Sequence, residues 1–323
     1  MVHSILTSNI RDGGPGKDGI IALLQPKFID AQSAEYISDD QLIIGVKVGD
    51  EMRAYPHLIL DWHEIVNDLA GDVPFSVTYC PLTGSALVWN RRLNGRENTF
   101  GVSGLLYNSN LIAYDRGTDS YWSQFQSTCV NGELIGQNSE SMQAVETTWL
   151  TWKSMYPNSK VLSLSTGHTR NYGIYPYGDY KSNHQRLLFP VNIVDNRLPR
   201  KSRVLGVTIG NSAVAFPLEN FSDFREVINY EIEGVPIVVI GSEPNNYAVA
   251  YQRTLASNTV VEFTSDFRKP SGIMKDELGT VYDIFGEAID GARFGRQLHG
   301  VNAFISYWFA WSAFHPETEI YSK

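Results

Sequence analysis

Cysteine is scarce in this sequence of 323 residues, which contains only Cys80 and Cys129. Two cysteines in a chain of this size cannot form the dense disulfide framework of small secreted proteins. A single bridge between the two stays open as an alternative. Cys129 stands in the ordinary strand-to-turn context QSTCVNGEL and is expected to be a small buried hydrophobic residue.

Long apolar runs and basic clusters are also missing. No run approaches the roughly 18–20 apolar residues that span a bilayer, so no membrane span is predicted. Residues 1–22 lack the basic start and apolar stretch of a signal peptide, which indicates a cytoplasmic protein or an exported one whose signal has been removed. The formal charge of −9, without a Lys/Arg cluster, argues against a nucleic-acid partner.

An internal repeat dominates what the sequence does contain. Two glycines, an alanine and a proline recur 161 positions apart, and two tryptophans recur 159 positions apart. The matching blocks are 43–60 with 204–221, 63–77 with 225–239, 130–136 with 289–295, and 147–161 with 306–320. Four blocks in the same order predict a tandem duplication.

Each repeat contains short β-rich runs, glycine turns and short helical segments. Expected helices cover 58–67 and 147–155, and expected strands cover 75–79, 99–102 and 111–114 around a polar loop. The predicted fold is α+β and β-rich, with two tandem pseudo-symmetric repeats of small, mainly antiparallel sheets and short flanking helices. The predicted organisation is an N-terminal extension (1–40), a candidate active repeat (41–163), a Tyr- and Gly-rich bridging segment (164–202) and a degenerate, supporting repeat (203–323).

The two repeats can be aligned with each other, which separates framework from candidate chemistry. Glu64 and Asn67 recur as Glu226 and Asn229, so they are interpreted as structural residues of a helix end and a turn. The recurring tryptophans are likewise expected to pack the core of each repeat.

Polar residues confined to the first repeat are the candidates for chemistry. His63 aligns with Arg225, Cys80 has no counterpart, and the loop SGLLYNSN (103–110) is replaced in the second repeat. Cys80 ends a strand just before a turn, where a thiol beside a histidine is either a soft metal ligand or a nucleophile. Ordinary buried roles for Cys80 and His63 stay open as alternatives.

The candidate site residues fall into three groups. The candidate catalytic residues are Cys80, His63, Tyr107 and Asn108. The candidate substrate-binding residues are Ser103, Asn110, Asp115, Arg116 and Trp122. The candidate metal ligands are Cys80 and His63.

The motifs WHEIVND, TYCPLTGSALVW, FGVSGLLYNSNLIAYDR, YWSQ and ETTWxxW together resemble the family of domain of unknown function 3179 (DUF3179). The resemblance extends from about Gly19 to Tyr321. The usual form of the cysteine motif in that family is similar to YCPLCG, whereas this sequence has Thr83 at the second cysteine position. A metal site or thiol–disulfide couple made of two such cysteines is therefore not available here.

Three functions are consistent with these residues. The first is a metal-binding protein, an enzyme that uses copper or, second, zinc at Cys80 and His63, although the sequence has no HxH, HExxH or CxxC pattern. The second is a metal-free cysteine enzyme with Cys80 as nucleophile and His63 as base, the loop supplying oxyanion donors. The third is a non-enzymatic module that binds a small molecule, glycan or peptide. Both enzyme hypotheses predict that His63, Cys80 and the 103–110 loop meet in one pocket.

Overall fold

The computed structural model describes residues 3–221 and 225–323. Residues 1–2 of the predicted extension and 222–224 of the predicted second repeat lie outside the described residues. In the part before residue 203 the strands are β1 Ile10–Asp12, β2 Leu23–Leu24, β3 Phe28–Asp30, β4 Leu42–Val48, β5 Glu51–Pro56, β6 Ile65–Ala70, β7 Val73–Cys80, β8 Ser85–Asn90, β9 Arg92–Leu93, β10 Arg96–Glu97, β11 Phe100–Tyr107, β12 Asn110–Asp115, β13 Tyr121–Ser123, β14 Thr128–Asn131, β15 Ser141–Met142, β16 Ala144–Thr148 and β17 Lys160–Leu162. The strands that follow are β18 Arg203–Ile209, β19 Ser212–Pro217, β20 Glu226–Ile232, β21 Val235–Ser242, β22 Tyr247–Gln252, β23 Phe263–Ser265, β24 Gly272–Asp276, β25 Val281–Asp283, β26 Ala288–Asp290, β27 Asn302–Tyr307 and β28 Glu319–Ile320.

The α-helices of the described residues are short: α1 His57–His63, α2 Trp149–Met155 and α3 Trp308–Phe314. Helix α1 follows Pro56, whose fixed φ suits a helix start. The predicted helix over 58–67 is therefore too long, because the chain turns at Glu64 and continues as β6. Apolar residues at 65 and 66 fit a buried strand as well as a helix, which is why the sequence pattern did not separate the two.

The sheets are small and mainly antiparallel, which confirms the predicted β-rich fold. The larger sheets before residue 203 have the strand orders β16-β4-β5-β17-β3, β15-β8-β7-β6-β2 and β1-β11-β12-β13-β14. The later sheets have the orders β27-β18-β19-β28, β20-β21-β22 and β23-β24-β25-β26. Strand β17 lies parallel to β5, and β28 lies parallel to β19.

A tryptophan on each of two helices packs directly onto a strand glycine. A Cβ atom added to Gly45 would lie 2.1 Å from the Trp152 ring, and one added to Gly206 would lie 2.1 Å from the Trp311 ring. Both rings are fully buried. Glycine is therefore needed at both strand positions for close packing of the helix on the sheet.

The predicted polar loop over 103–110 is wrong for most of its length. Strand β11 continues to Tyr107 and β12 begins at Asn110, so the loop is a two-residue turn at Asn108 and Ser109. Both residues have positive φ, 49° and 62°, as a tight hairpin turn requires. A bulge between Val102 and Leu105 hides the alternation of polar and apolar residues that would have indicated a strand.

Residues 164–202, here called the strap, cross the surface of both parts of the chain. The Tyr180 hydroxyl donates to the Leu82 carbonyl at 2.7 Å, and the Ser109 hydroxyl donates to the Phe189 carbonyl at 2.7 Å. Further along, the Asp195 carbonyl accepts a hydrogen bond of 3.1 Å from the Trp308 ring. The strap is therefore held in place by side chains from both sides. Within the described residues, none of the helices has the length and apolar character needed to cross a membrane.

Candidate functional site

His63, the last residue of α1, is fully buried and its ring is engaged on both sides. Nδ1 lies 2.7 Å from the Ile21 carbonyl oxygen, and Nε2 lies 2.7 Å from the Tyr172 hydroxyl. The nitrogen facing a carbonyl must carry the hydrogen, so Nε2 accepts from Tyr172. Burial lowers the pKa of His63 to about 4, and the ring is neutral with no free nitrogen.

Cys80 is buried at the end of β7 with its thiol 3.7 Å from the Ser109 carbonyl. Burial, followed by the negative charge of Glu64, raises the pKa of the thiol to about 11. Cys80 and Cys129 are both free thiols, so no bridge joins them. The hydrogen bonds and charge interactions of the described residues connect Cys80 with the 108–109 turn but not with His63.

The polar side chains of residues 103–110 mostly form hydrogen bonds with backbone groups. The Ser103 hydroxyl bonds to the Ile112 carbonyl. Asn108 donates to the Ala313 carbonyl at 3.4 Å and accepts from the Asn192 amide at 3.0 Å. The Tyr107 ring lies edge-on to Phe314, with centroids 5.6 Å apart. These contacts join the turn to the strap and to α3.

Asn110 and Thr83 belong to a buried polar network. The Asn110 amide donates to the Gln124 carbonyl oxygen at 2.7 Å and to the Thr83 hydroxyl at 2.9 Å. Thr83 also bonds to the Ser85 hydroxyl at 2.8 Å. The threonine at the second cysteine position is thus fully satisfied, and its role here is structural.

Asp115 and Trp122 stabilise the turn between β12 and β13, whereas Arg116 contacts the neighbouring strand β11. Asp115, fully buried, accepts from the Thr118 amide at 2.7 Å and from the Trp122 ring at 3.0 Å. Arg116 donates to the Phe100 carbonyl at 2.9 Å. The polar groups of these three residues already have partners in the protein. A substrate-binding role for them stays a prediction.

Glu64 recurs as Glu226 and is predicted to be structural, but the two carboxylates lie in different environments. Its backbone has φ 56° and ψ −36°, a strained conformation for a residue other than glycine. Its buried carboxylate accepts a 2.8 Å hydrogen bond from Tyr177 of the strap. Burial raises its pKa to about 7. Glu226, in contrast, forms a surface ion pair with Lys323.

A cavity of about 390 Å³ lies beneath the strap, here called the strap cavity. Its wall combines α1, the end of β7, the strap and the second part of the chain. The polar and aromatic residues that line it are Asp40, Gln41, His57, Asp61, Tyr79, Tyr172, Tyr175, Lys181, Arg203 and Tyr307.

Two ion pairs cross the wall of the strap cavity. Lys181 of the strap lies 2.8 Å from Asp61 of α1, and Arg203 of β18 pairs with Glu146 of β16. Burial raises the pKa of Asp61 to about 6 despite the opposing charge of Lys181. Burial lowers the pKa of His57, and the cations Lys181 and Arg203 lower it further, so the His57 ring is neutral.

Several buried polar atoms at this wall have no hydrogen-bond partner among the residues that the structure describes. They are Nε2 of His57, Oδ1 of Asp61, Nε of Arg203 and the hydroxyl oxygen of Tyr175, with Oε2 of Glu146 immediately behind. His57 Nε2 lies 3.6 Å from that Glu146 oxygen. Buried polar atoms of native proteins are almost always paired, so a cluster of free ones around a cavity indicates a ligand site.

The sequence carried only weak signals for the strap cavity. His57 and Asp61 lie four residues apart on α1 and therefore on one helix face, and this spacing could have been noticed. Lys181 and Arg203 come from segments far away in sequence, and no local pattern connects them to α1.

The predicted metal ligands do not form a metal-binding group. Within residues 3–221 and 225–323, no three His, Cys, Asp or Glu side chains are arranged to hold a metal ion. Copper or zinc at Cys80 and His63 stays a prediction that depends on a rearrangement of both side chains.

The family comparison agrees with the motifs recognised in the sequence. No curated protein and no solved structure matches the chain. The family model described as protein of unknown function (DUF3179) matches residues 17–318. The chain therefore belongs to the DUF3179 family.

Proposed function

We propose that this protein binds a small polar molecule in the strap cavity. The observation that carries the proposal is the set of unpaired buried atoms on His57, Asp61, Arg203 and Tyr175 around one cavity. Each such atom costs roughly 1–3 kcal/mol when it has no partner. A ligand that supplies the missing hydrogen bonds recovers this energy, and the volume of about 390 Å³ is within the range of small-molecule sites.

A second candidate function is an enzyme that moves protons at the end of α1, where Asp61 lines the strap cavity and Glu64 follows the helix. Asp61 and Glu64 lie three residues apart, and their pKa values are raised to about 6 and about 7. Carboxyl groups with a pKa near the working pH are suited to general acid–base chemistry. For the metal-free cysteine enzyme that the sequence also suggests, Glu64 is a better candidate base than His63, because its charge acts on the Cys80 thiol.

The metal hypothesis is kept as a separate proposal, with copper ahead of zinc. It requires that His63 give up the Tyr172 hydrogen bond and that Cys80 lose its proton. Metal analysis of the purified protein tests it directly: stoichiometric metal that is lost in Cys80→Ser would support it, and metal-free protein that folds normally would contradict it.

We also propose that the chain consists of two pseudo-symmetric copies, with the strap cavity between them. Matching strand orders support this, as do equivalent hydrogen bonds exchanged between the copies. The Thr148 amide donates to the Asn245 carbonyl at 3.2 Å, and its counterpart, the Tyr307 amide, donates to the Thr83 carbonyl at 2.8 Å. The proposed second copy contributes more than support, because Arg203 lines the cavity.

The binding proposal is tested by removing the charged pair of the wall. Asp61→Leu combined with Lys181→Met replaces an ion pair between a buried carboxylate and an exposed lysine with apolar side chains, so that neither charge is left without its partner. The matched control is Asp30→Leu with Lys160→Met, an exposed pair 2.6 Å apart and away from the cavity. Both proteins are compared with the unaltered chain by ligand-observed NMR against sugars, hydroxy acids, amino acids and amines.

We expect at least one of these compounds to bind the unaltered chain and the control, and to lose its signal with the cavity variant. Denaturation in urea checks that the cavity variant is folded. If every compound gives the same signal with all three proteins, the strap cavity is not the binding site and the proposal is wrong.

A further inference from the structure

We infer that the ligand of the strap cavity is a neutral ring rich in hydroxyl groups, a monosaccharide or cyclic polyol. This inference rests on the proposed binding function and goes further, because it names the class of molecule. It is carried by the balance of charge in the wall and by the kind of polar atoms that remain free.

The buried carboxylates next to the cavity, Asp61 and Glu146, are paired with cations within the protein, whereas Asp40, which also lines the cavity, is exposed to solvent. Lys181 pairs with Asp61 and Arg203 pairs with Glu146, which places two cations beside two carboxylates. A charged ligand group that contacts Asp61 or Arg203 would have to displace the partner of that residue and leave its charge uncompensated, which is unfavourable. A neutral ligand leaves both ion pairs intact.

The free atoms include both acceptors and donors. Asp61 Oδ1 can only accept a hydrogen bond, Arg203 Nε can only donate one, and the Tyr175 hydroxyl and His57 Nε2 complete the set. A hydroxyl group donates one hydrogen bond and accepts others. A ligand with several hydroxyls therefore offers partners to both kinds of atom, whereas a carboxylate offers only acceptors and an ammonium group offers only donors.

The size and aromatic content of the cavity also fit a ring. The volume of about 390 Å³ accommodates a six-membered ring with its substituents, and Tyr79, Tyr175 and Tyr307 line the wall. Tyrosine presents an apolar ring face together with a polar hydroxyl. The C–H faces and hydroxyl edges of a sugar have the same dual character.

The test compares probes that differ in hydroxyl number and charge. Glucose and myo-inositol are measured against cyclohexanol (a six-membered ring with one hydroxyl), lactate and ethanolamine, by titration followed with NMR. The critical variant is Arg203→Lys, which keeps the positive charge beside Glu146 but removes the free Nε donor. Its control is Arg197→Lys, at an arginine that pairs with Asp195 on the strap.

We expect glucose or myo-inositol to bind at least tenfold more tightly than the three other probes. Arg203→Lys should weaken that binding at least tenfold, and Arg197→Lys should leave it unchanged. Tyr175→Phe removes the unpaired hydroxyl and keeps the ring, so it gives a second test should Arg203→Lys fold poorly, again with a loss of at least tenfold.

Two results would overturn the inference in different ways. Tighter binding of lactate or ethanolamine, lost in Arg203→Lys, would reject the polyol and retain the proposed binding site. Polyol binding that neither Arg203→Lys nor Tyr175→Phe weakens would reject the strap cavity as the site, and with it the proposed function.

Discussion

The buried carboxyl group of Glu64 should make the stability of this protein depend on pH. Its pKa is raised from 4.5 to about 7 by burial, so between these values the folded chain holds a proton that the unfolded chain has lost. Stability therefore falls as the pH rises through this window. At about 1.4 kcal/mol for each pH unit, the buried charge costs about 3 kcal/mol above pH 7.

Glu64→Gln isolates this effect, because the amide is permanently neutral and its oxygen still accepts from Tyr177. At pH 5 the variant and the unaltered chain should have similar free energies of unfolding, since Glu64 is then protonated. At pH 8 the variant should be more stable by about 3 kcal/mol. The neutral amide also relieves the repulsion from Asp61, which acts in the same direction.

Urea denaturation at both pH values measures the difference. The matched control is Glu226→Gln, the aligned residue, whose carboxylate is in a surface ion pair with Lys323 and should change stability by less than about 1 kcal/mol at either pH. The reasoning is refuted if Glu64→Gln is equally or less stable than the unaltered chain at pH 8. A stabilising change at a buried carboxylate would also indicate that Glu64 is kept for function at the expense of stability.

Two further outcomes follow from the packing and from the buried thiols. Gly45→Ala places a methyl group 2.1 Å from the Trp152 ring and should lower the free energy of unfolding by about 1–3 kcal/mol or more. Gly300→Ala is the control, because the space around Gly300 is open, and it should change the free energy of unfolding little. Equal urea midpoints for the two variants would contradict this packing. Burial raises the pKa values of Cys80 and Cys129 to about 11. Both thiols should therefore resist iodoacetamide at neutral pH and react only after unfolding in urea, as measured by mass spectrometry. Rapid labelling of Cys80 in the folded chain would instead support the nucleophile hypothesis.

The framework of this fold was largely predictable from the sequence. Gly45 and Gly206 recur with Trp152 and Trp311, and in each pair the ring lies on the glycine. Asn67 and Asn229, the other recurring polar pair, make the same two hydrogen bonds with the backbone of a neighbouring strand, at Phe100 and Phe263 respectively. Packing and backbone hydrogen bonds impose strict local requirements, and such requirements leave a trace in the sequence.

The candidate site was less predictable, for a physical reason that Glu64 illustrates. The alignment of Glu64 with Glu226 compares residue types and contains no information on the residues that surround each carboxylate. Tyr177, which covers Glu64 and contributes to its burial, comes from the strap, and the strap occurs only once in the chain. A residue that recurs in the sequence can thus acquire a distinct pKa from a segment that does not recur.

If the chain is a duplication, the strap cavity could not be predicted from one repeat alone, because its lining comes from both copies and the strap. The two proposed copies make equivalent contacts, such as the Thr148 and Tyr307 amide hydrogen bonds. Such contacts stabilise the fold in both copies. The strap adds Tyr175 and Lys181 on the side of the strap cavity. Asymmetry arises there without loss of the shared framework, and the free polar atoms of the wall lie on that side. The chemistry of this protein is therefore best sought where the strap meets the seam between the copies.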